Sequence, residues 1–107
     1  MATRFSIRPA ADRDLEDQAW YLAQEAGHKT ALRFFDSAQA AFEHLARMPN
    51  MGRRRESTNP ALAGMRMWPI ESFGKHLIFY RPADDGIDII RILHAARDID
   101  GILENLH

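Results

Sequence analysis

The feature that most constrains the fold is a run near the end of the sequence, residues 87–98. Its first part, Ile-Asp-Ile-Ile-Arg-Ile-Leu, is rich in β-branched side chains, and its polar members Asp88 and Arg91 do not recur at helical spacing. A strand that is apolar on both faces is typical of a sheet interior. The run then continues into His94, Arg97 and Asp98. Polar groups at the end of a rigid strand favour a functional role.

The composition is that of an ordinary globular protein. The 107 residues are 46% hydrophobic and 27% charged, so we expect a single domain over residues 1–107. The sequence has no cysteine and its five histidines show no metal-ligand spacing, so we expect no metal and no cofactor. Since no run approaches the ~18 apolar residues of a membrane span, we expect a cytoplasmic protein that does not contact membranes.

The positive charge is carried mainly by arginine and is concentrated in one segment. The net charge is −1, yet twelve of the 14 basic residues are Arg, the side chain best suited to bidentate contacts with carboxylate or phosphate. Residues 53–81 contain six basic and two acidic side chains, beginning with Arg53, Arg54 and Arg55. Such a segment is consistent with an acidic partner surface and equally with a solvated loop.

The remaining patterns predict a strand, a helical hairpin and three further strands. Residues 5–8 alternate apolar and polar; one helix follows Pro9 and ends at Gly27, and a second spans about 29–48, with Phe34, Phe35 and Phe42 in the core. After an Arg-rich loop at 50–60, strands are predicted at 65–70, 76–81 and 87–94, and a short helix at 98–106. We expect an α+β fold in which the first strand and the helical hairpin pack on one face of an antiparallel sheet, with the other face partly open.

Two local features carry their own predictions. Proline within a strand marks an edge or a bulge, so Trp68-Pro69 predicts an edge that suits an added strand or an extended peptide. At the end of the last strand, His94 is either a contact or proton-transfer group, or a histidine held by Asp98 or a backbone carbonyl. Arg97 and Asp98 are predicted to form an internal ion pair.

Six segments, in the right order, resemble the ParE branch of the ParE/RelE toxin superfamily of bacterial toxin–antitoxin modules. They are AADRDL (10–15), ALRF (31–34), LARMPNMG (45–52), GMRMWPI (64–70), LIFYRP (77–82) and RILHAARD (91–98). The resemblance covers nearly the whole sequence. It implies a toxin that a cognate antitoxin holds inactive in a hetero-oligomer, with DNA gyrase as the target and with DNA contacted only indirectly, through the antitoxin.

The RelE branch, by contrast, implies cleavage of mRNA on the ribosome. That reaction needs a general base, a general acid and cationic stabilisation of phosphate, for which His94 and Arg81 are the candidates here. RelE-like enzymes take these groups from Lys, Arg and often a Tyr or His at the end of the last strand and in the C-terminal segment. Here no Tyr follows His94, and the only lysines are Lys29 and Lys75. The resemblance therefore implies an incomplete catalytic set and favours a binder over an enzyme. An inert toxin homologue that still binds its antitoxin is a third reading. The residues we predict to bind target or partner are Arg53, Arg54, Arg55, Arg66, Trp68, Arg81, Arg91, His94 and Arg97.

Overall fold

A computed structural model describes residues 4–106. The elements follow in the predicted order, with one addition. They are β1 (Arg4–Ile7), α1 (Pro9–Ala26), α2 (His28–Arg47), β2 (Arg53–Arg54), a 3-10 turn (Pro60–Leu62), β3 (Arg66–Ile70), β4 (Phe73–Ala83), β5 (Gly86–His94) and α3 (Ile99–Glu104). The α+β class is confirmed. The predicted loop at 50–60 is wrong at Arg53 and Arg54, since these two residues pair with Met67 and Arg66 as a short strand.

The strands form one five-stranded sheet in the order β1-β5-β4-β3-β2. The sheet is mixed, not wholly antiparallel, because β1 runs parallel to β5. Parallel neighbours need a long crossover, and here the helical hairpin and β2 to β4 all lie between the two strands. The pairing is close: Gly86 is buried directly opposite Arg4. Beside it, the Arg8 guanidinium forms an ion pair with Asp88 at 2.8 Å.

The helical hairpin forms as the sequence predicts, with one error in its core. Pro9 stands at the start of α1, where its missing N–H costs nothing. Gly27, with φ of 93°, is the single residue between the helices, a backbone conformation that glycine adopts readily. Phe34 and Phe42 are buried, but Phe35 is 40% exposed. One residue further along a helix is about 100° further round it, so Phe35 lies on the outer side of the hairpin.

Both faces of the sheet are covered. On one face, the helices pack on a core that contains Ile78, Tyr80 and Ile92. On the other face, Phe79, Ile90 and Leu93 pack with Leu62 of the 3-10 turn and Leu103 of α3. The expectation of a partly open second face is therefore wrong: a short apolar C-terminal segment closes it. None of the helices within residues 4–106 is both long enough and apolar enough to cross a membrane.

Beyond the end of β1, side chains of α1 form hydrogen bonds with the backbone of β5 in place of a neighbouring strand. The backbone N–H of Ile92 donates to Asp14 Oδ2 at 3.0 Å, and the Gln18 side-chain amide donates to the Ile92 carbonyl at 2.8 Å. These two side chains are four residues apart, so they lie on the same face of the helix. Polar groups of a strand edge that would otherwise be buried without partners are thereby satisfied. This arrangement fixes the end of β5, where the candidate polar residues begin.

Candidate functional site

His94 ends β5 beside a second histidine. Its ring stacks edge-on against that of His76, with 4.9 Å between centroids, and its Nδ1 accepts a hydrogen bond from the Ala96 backbone N–H at 3.0 Å. His76 is buried, packs against Phe34, and its Nδ1 lies 2.8 Å from Gln18 Oε1. The acceptor on Gln18 places a proton on that nitrogen of His76. His94 is therefore held by a backbone N–H, and the predicted contacts with Asp98 or a carbonyl are wrong.

Burial of His76 makes the stability of this strand end depend on pH. Desolvation, reinforced by the charge of His94, lowers the pKa of His76 below its usual 6.5. Below pH 6.5 the unfolded chain therefore binds more protons at His76 than the folded chain does. The contribution of His76 to the free energy of unfolding is complete above pH 6.5 and is lost as the pH falls below that value. We expect the free energy of unfolding, measured by urea titration at several pH values, to decrease below pH 6.5.

The His76→Gln variant should flatten that pH dependence, since glutamine does not titrate. The matched control is His44→Gln, because His44 is exposed on α2. The control should keep the slope of the unsubstituted protein. Equal slopes in both variants would show that another group causes the effect.

Arg91 is held inside the fold. Its Nε and Nη2 donate to the two carboxylate oxygens of Asp14 at 2.7 and 2.9 Å, and the two side chains are only 19% and 11% exposed. The hydrogen bonds that Arg91 donates to Asp14 raise the pKa of Arg91. Bidentate pairing of this kind fixes both side chains. Arg91 is among the residues predicted to bind target or partner, and in the fold its guanidinium joins α1 to β5.

Arg66 and Tyr80 together hold the turn that precedes β2. Arg66 Nη1 donates to the carbonyls of Asn50 and Gly52 at 3.0 and 2.8 Å. The Tyr80 hydroxyl donates to the Pro49 carbonyl at 2.9 Å and accepts from the Gly52 N–H at 2.8 Å. Burial raises the pKa of Tyr80, against the opposing effect of the Gly52 hydrogen bond. Tyr80 was missed by the sequence reasoning, although a tyrosine on a covered strand face needs a partner for its hydroxyl.

Two further predicted arginines also contact the fold. Arg81 Nη1 lies 3.4 and 3.3 Å from the carbonyls of Ala61 and Ala63, at the end of the 3-10 turn. Arg55 pairs with Asp100 of α3, which ties the segment after β2 to the C-terminal helix. Both guanidinium groups therefore contact other parts of the fold, whereas the sequence predicts that they bind target or partner.

The remaining arginines of the predicted set are Arg53, Arg54 and Arg97. All three are exposed, and within residues 4–106 their guanidinium groups make no hydrogen bond or ion pair. The predicted ion pair between Arg97 and Asp98 is wrong, because Asp98 caps α3 by accepting from the Gly101 N–H at 3.1 Å. Arg53 and Arg54 form the edge strand of the sheet, so they present cationic groups beside unpaired backbone.

Trp68 and Pro69 lie at an edge and a bulge, as predicted. The two residues of β2 pair only with Arg66 and Met67, so β3 is the edge strand of the sheet from Trp68 onward. The bulge is the shift in register of β3 against β4 between Pro69 and Ile70. A groove of about 750 Å³ runs between this edge and α2. Its lining combines apolar and charged side chains: Asp36, Ser37, Ala40, Ala41, His44, Arg47, Trp68, Pro69 and Glu71.

The two residues proposed for RNA cleavage lie far apart. His94 pairs with His76 near one end of β4, and Arg81 is five residues further along that strand. At about 3.3 Å per residue, this corresponds to roughly 16 Å between the two backbone positions. A general base must lie within hydrogen-bond reach of the proton it removes, next to the groups that stabilise the phosphate. The geometry does not bring His94 and Arg81 together.

The chain is similar to known proteins both in sequence and in fold. The family model described as the ParE toxin of the type II toxin–antitoxin system, parDE, matches residues 5–99. Proteins named toxin ParE1 from two Mycobacterium tuberculosis strains, CDC 1551 and H37Rv, are each 30% identical over 102 residues, which is 94% of this chain and 97% of theirs. A solved structure titled "Chromosomal ParDE TA system from P. aeruginosa" has a TM-score of 0.69 at 22% identity, covering 86% of this chain and 95% of that one.

The family model covers both the helical hairpin and most of the mixed sheet, so the class of this protein is that of the toxins of toxin–antitoxin systems. Because the family model spans most of the sequence and the two relatives match along almost their full length, the chain belongs to the ParE toxin family of type II toxin–antitoxin systems.

Proposed function

We propose that this protein is a toxin that stops DNA gyrase by binding it, without chemistry of its own. The observation that carries the proposal is the placement of the cationic side chains. Two of the arginines predicted to bind target or partner are engaged in the fold, Arg91 with Asp14 and Arg66 with backbone carbonyls. The separation of His94 from Arg81 supports binding over RNA cleavage, and membership of the ParE family supports gyrase as the target.

The surface best suited to contact the target is the sheet edge at β2. Arg53 and Arg54 are exposed there, and two cations on a strand edge complement an acidic surface. Arg97 lies elsewhere, after the end of β5, and is equally exposed. Arg66 and Arg81 contribute indirectly, since they hold the segments before and after β2.

We propose that a cognate antitoxin neutralises the toxin by occupying the groove between α2 and the outer part of β3. The unpaired backbone from Trp68 onward can accept an extended peptide as an added strand. Arg47 and Asp36 on the α2 side and Glu71 on the β3 side offer charges of both signs. The solved relative's title names a ParDE system, which supports a hetero-oligomer of this kind. We further propose that the toxin contacts DNA only through the antitoxin.

The first experiment compares gyrase supercoiling, with ATP, in the presence and absence of the purified protein. A parallel assay follows cleavage of mRNA on the ribosome. We expect supercoiling to be inhibited while the mRNA stays intact. Intact supercoiling together with cleaved mRNA would overturn the proposal, and no effect in either assay would leave an inert homologue.

Replacement of both Arg53 and Arg54 by Ala should weaken binding to gyrase roughly tenfold, since exposed charge contacts contribute up to ~1 kcal/mol each. The dependence of that affinity on salt should also become smaller. Binding can be measured by surface plasmon resonance at two ionic strengths. The matched control is Arg13→Ala with Lys29→Ala, which removes the same charge from exposed positions on the helices. Equal losses in the two double variants would assign the effect to net charge alone.

A further inference from the structure

Strand β2 is too short to keep its own place at the edge of the sheet. It pairs through two residues only, Arg53 opposite Met67 and Arg54 opposite Arg66, and a ladder of this length is marginally stable in water. Residues directly opposite each other in an antiparallel pair lie on the same face, and like charges in such a pair are destabilising. Since Arg54 stands opposite Arg66, the contacts that keep β2 in place have to come from outside its two residues.

Tyr80 of β4 supplies such contacts from the interior of the protein. Its side chain is buried, and it stands opposite Arg66 in the pairing of β3 with β4. Its hydroxyl donates to the Pro49 carbonyl at 2.9 Å and accepts from the Gly52 N–H at 2.8 Å. Because the ring is packed in the core, these two hydrogen bonds tie the segment that leads into β2 to a fixed point.

This contact requires glycine at position 52. A Cβ there would overlap the Tyr80 hydroxyl, and it would lie 2.7 Å from Tyr80 Cε1 and 2.9 Å from the Met67 carbonyl oxygen. The Met67 oxygen belongs to the backbone of β3 and cannot move aside as a flexible side chain would. Any larger residue would therefore push the segment before β2 away from the sheet.

We propose that Tyr80 is a positioning residue for the cationic edge: its hydroxyl holds β2 in place and thereby sets the affinity of Arg53 and Arg54 for their partner. This role rests on the proposed function, in which the two arginines bind gyrase. Tyr80 is buried, so it acts through β2 and not by touching the partner. An edge that is ordered before binding loses less conformational freedom in the complex, which increases affinity.

The Tyr80→Phe variant keeps the ring and removes the hydroxyl. Both arginines keep their charge, so the association rate with gyrase and its dependence on salt should stay unchanged. The dissociation rate should rise about three- to tenfold, because the released edge has to be held in order by the complex itself. A general loss of stability would instead reduce the amount of competent protein and leave the dissociation rate of the bound molecules as it was.

Surface plasmon resonance with immobilised gyrase measures both rates at two ionic strengths. The matched control is Tyr21→Phe, which removes the same group from a side chain that is 58% exposed on α1 and should keep both rates. Circular dichroism checks that each variant is folded. A dissociation rate for Tyr80→Phe equal to that of the control would overturn the proposal.

A second variant displaces the same segment by the opposite means. Gly52→Ala leaves the Tyr80 hydroxyl in place and introduces the clash, so it should also raise the dissociation rate. Its control is Gly74→Ala, since no atom lies within 4 Å of the position where that Cβ would stand. Equal dissociation rates for Gly52→Ala and Gly74→Ala would contradict the role of this segment.

Combining the substitutions tests whether Tyr80 acts through the two arginines. In a protein that already carries Arg53→Ala and Arg54→Ala, adding Tyr80→Phe should cause no further loss of affinity, because residues that act through a common contact are not additive. A loss equal to that in the unsubstituted background would show that Tyr80 acts elsewhere, and would overturn the proposal.

Hydrogen exchange of the free protein, followed by mass spectrometry, tests the structural step without gyrase. The Arg55 N–H donates to the Met65 carbonyl at 2.9 Å, on the other side of β2 from Gly52. Faster exchange in peptides that include Arg55 is expected for Tyr80→Phe and not for Tyr21→Phe, and unchanged exchange would overturn the proposal. If the unsubstituted protein does not bind gyrase at all, the proposed function fails and this role of Tyr80 fails with it. Gyrase binding with equal rates for Tyr80→Phe contradicts the role of Tyr80 alone.

Discussion

The Gly86→Ala variant should lose at least about 3 kcal/mol of the free energy of unfolding, since it forces backbone apart instead of displacing a flexible side chain. A Cβ at Gly86 would overlap the carbonyl oxygen of Arg4 and lie 2.6 Å from its carbonyl carbon. The atoms in the way are backbone of β1, so that strand has to leave its place beside β5. Urea denaturation followed by circular dichroism measures the loss.

The control for this substitution is Gly74→Ala. Gly74 is also a strand glycine, but no atom lies within 4 Å of the position where its Cβ would stand. An exposed change of this kind should alter stability by no more than about 0.5 kcal/mol. Similar unfolding midpoints for the two variants would mean that β1 does not approach β5 as closely as described.

Removal of the Asp14 carboxylate should lower the free energy of unfolding by about 3–5 kcal/mol, the usual penalty when one partner of a buried ion pair is removed. The Asp14→Ala variant leaves Arg91 without its bidentate partner and the Ile92 N–H without an acceptor. The matched control is Asp17→Ala, because Asp17 is exposed on the same helix. Its unfolding free energy should stay close to that of the unsubstituted protein.

A double variant separates the ion pair from the hydrogen bond to Ile92. With Asp14→Ala and Arg91→Met together, no isolated cation remains buried, so the double variant should be more stable than Asp14→Ala alone. If the double variant is instead less stable, Arg91 contributes through packing of its aliphatic part, and the pairing with Asp14 is secondary.

Features that depend on neighbouring residues were predictable from the sequence. Pro9 and Gly27 mark the ends of α1, and Pro69 marks an edge and a bulge, because proline and glycine restrict or extend the backbone at their own positions. The apolar stripe of α2 located Phe34 and Phe42 correctly. The order of strands and helices followed from the same local patterns, which is why the fold class is confirmed.

Features that depend on distant residues were not predictable. Asp14 and Arg91 are 77 positions apart, and no local pattern pairs them. The contact of Tyr80 with the turn at Gly52 and the covering of the second sheet face by Leu103 are also long-range. Arg66, Arg81 and Arg91 therefore read as a free cationic surface in the sequence, whereas the fold uses their guanidinium groups internally.

The pairing of β1 with β5 has a consequence for synthesis. Residues 4–7 leave the ribosome well before their partners, residues 86–89, are made. Until then β1 has no strand beside it, and the sheet cannot close. Contacts between strands that lie far apart in the sequence form slowly, because a long loop has to be ordered first. The order of synthesis thus delays this protein's maturation: each molecule can complete its sheet only after residues 86–89 have been made.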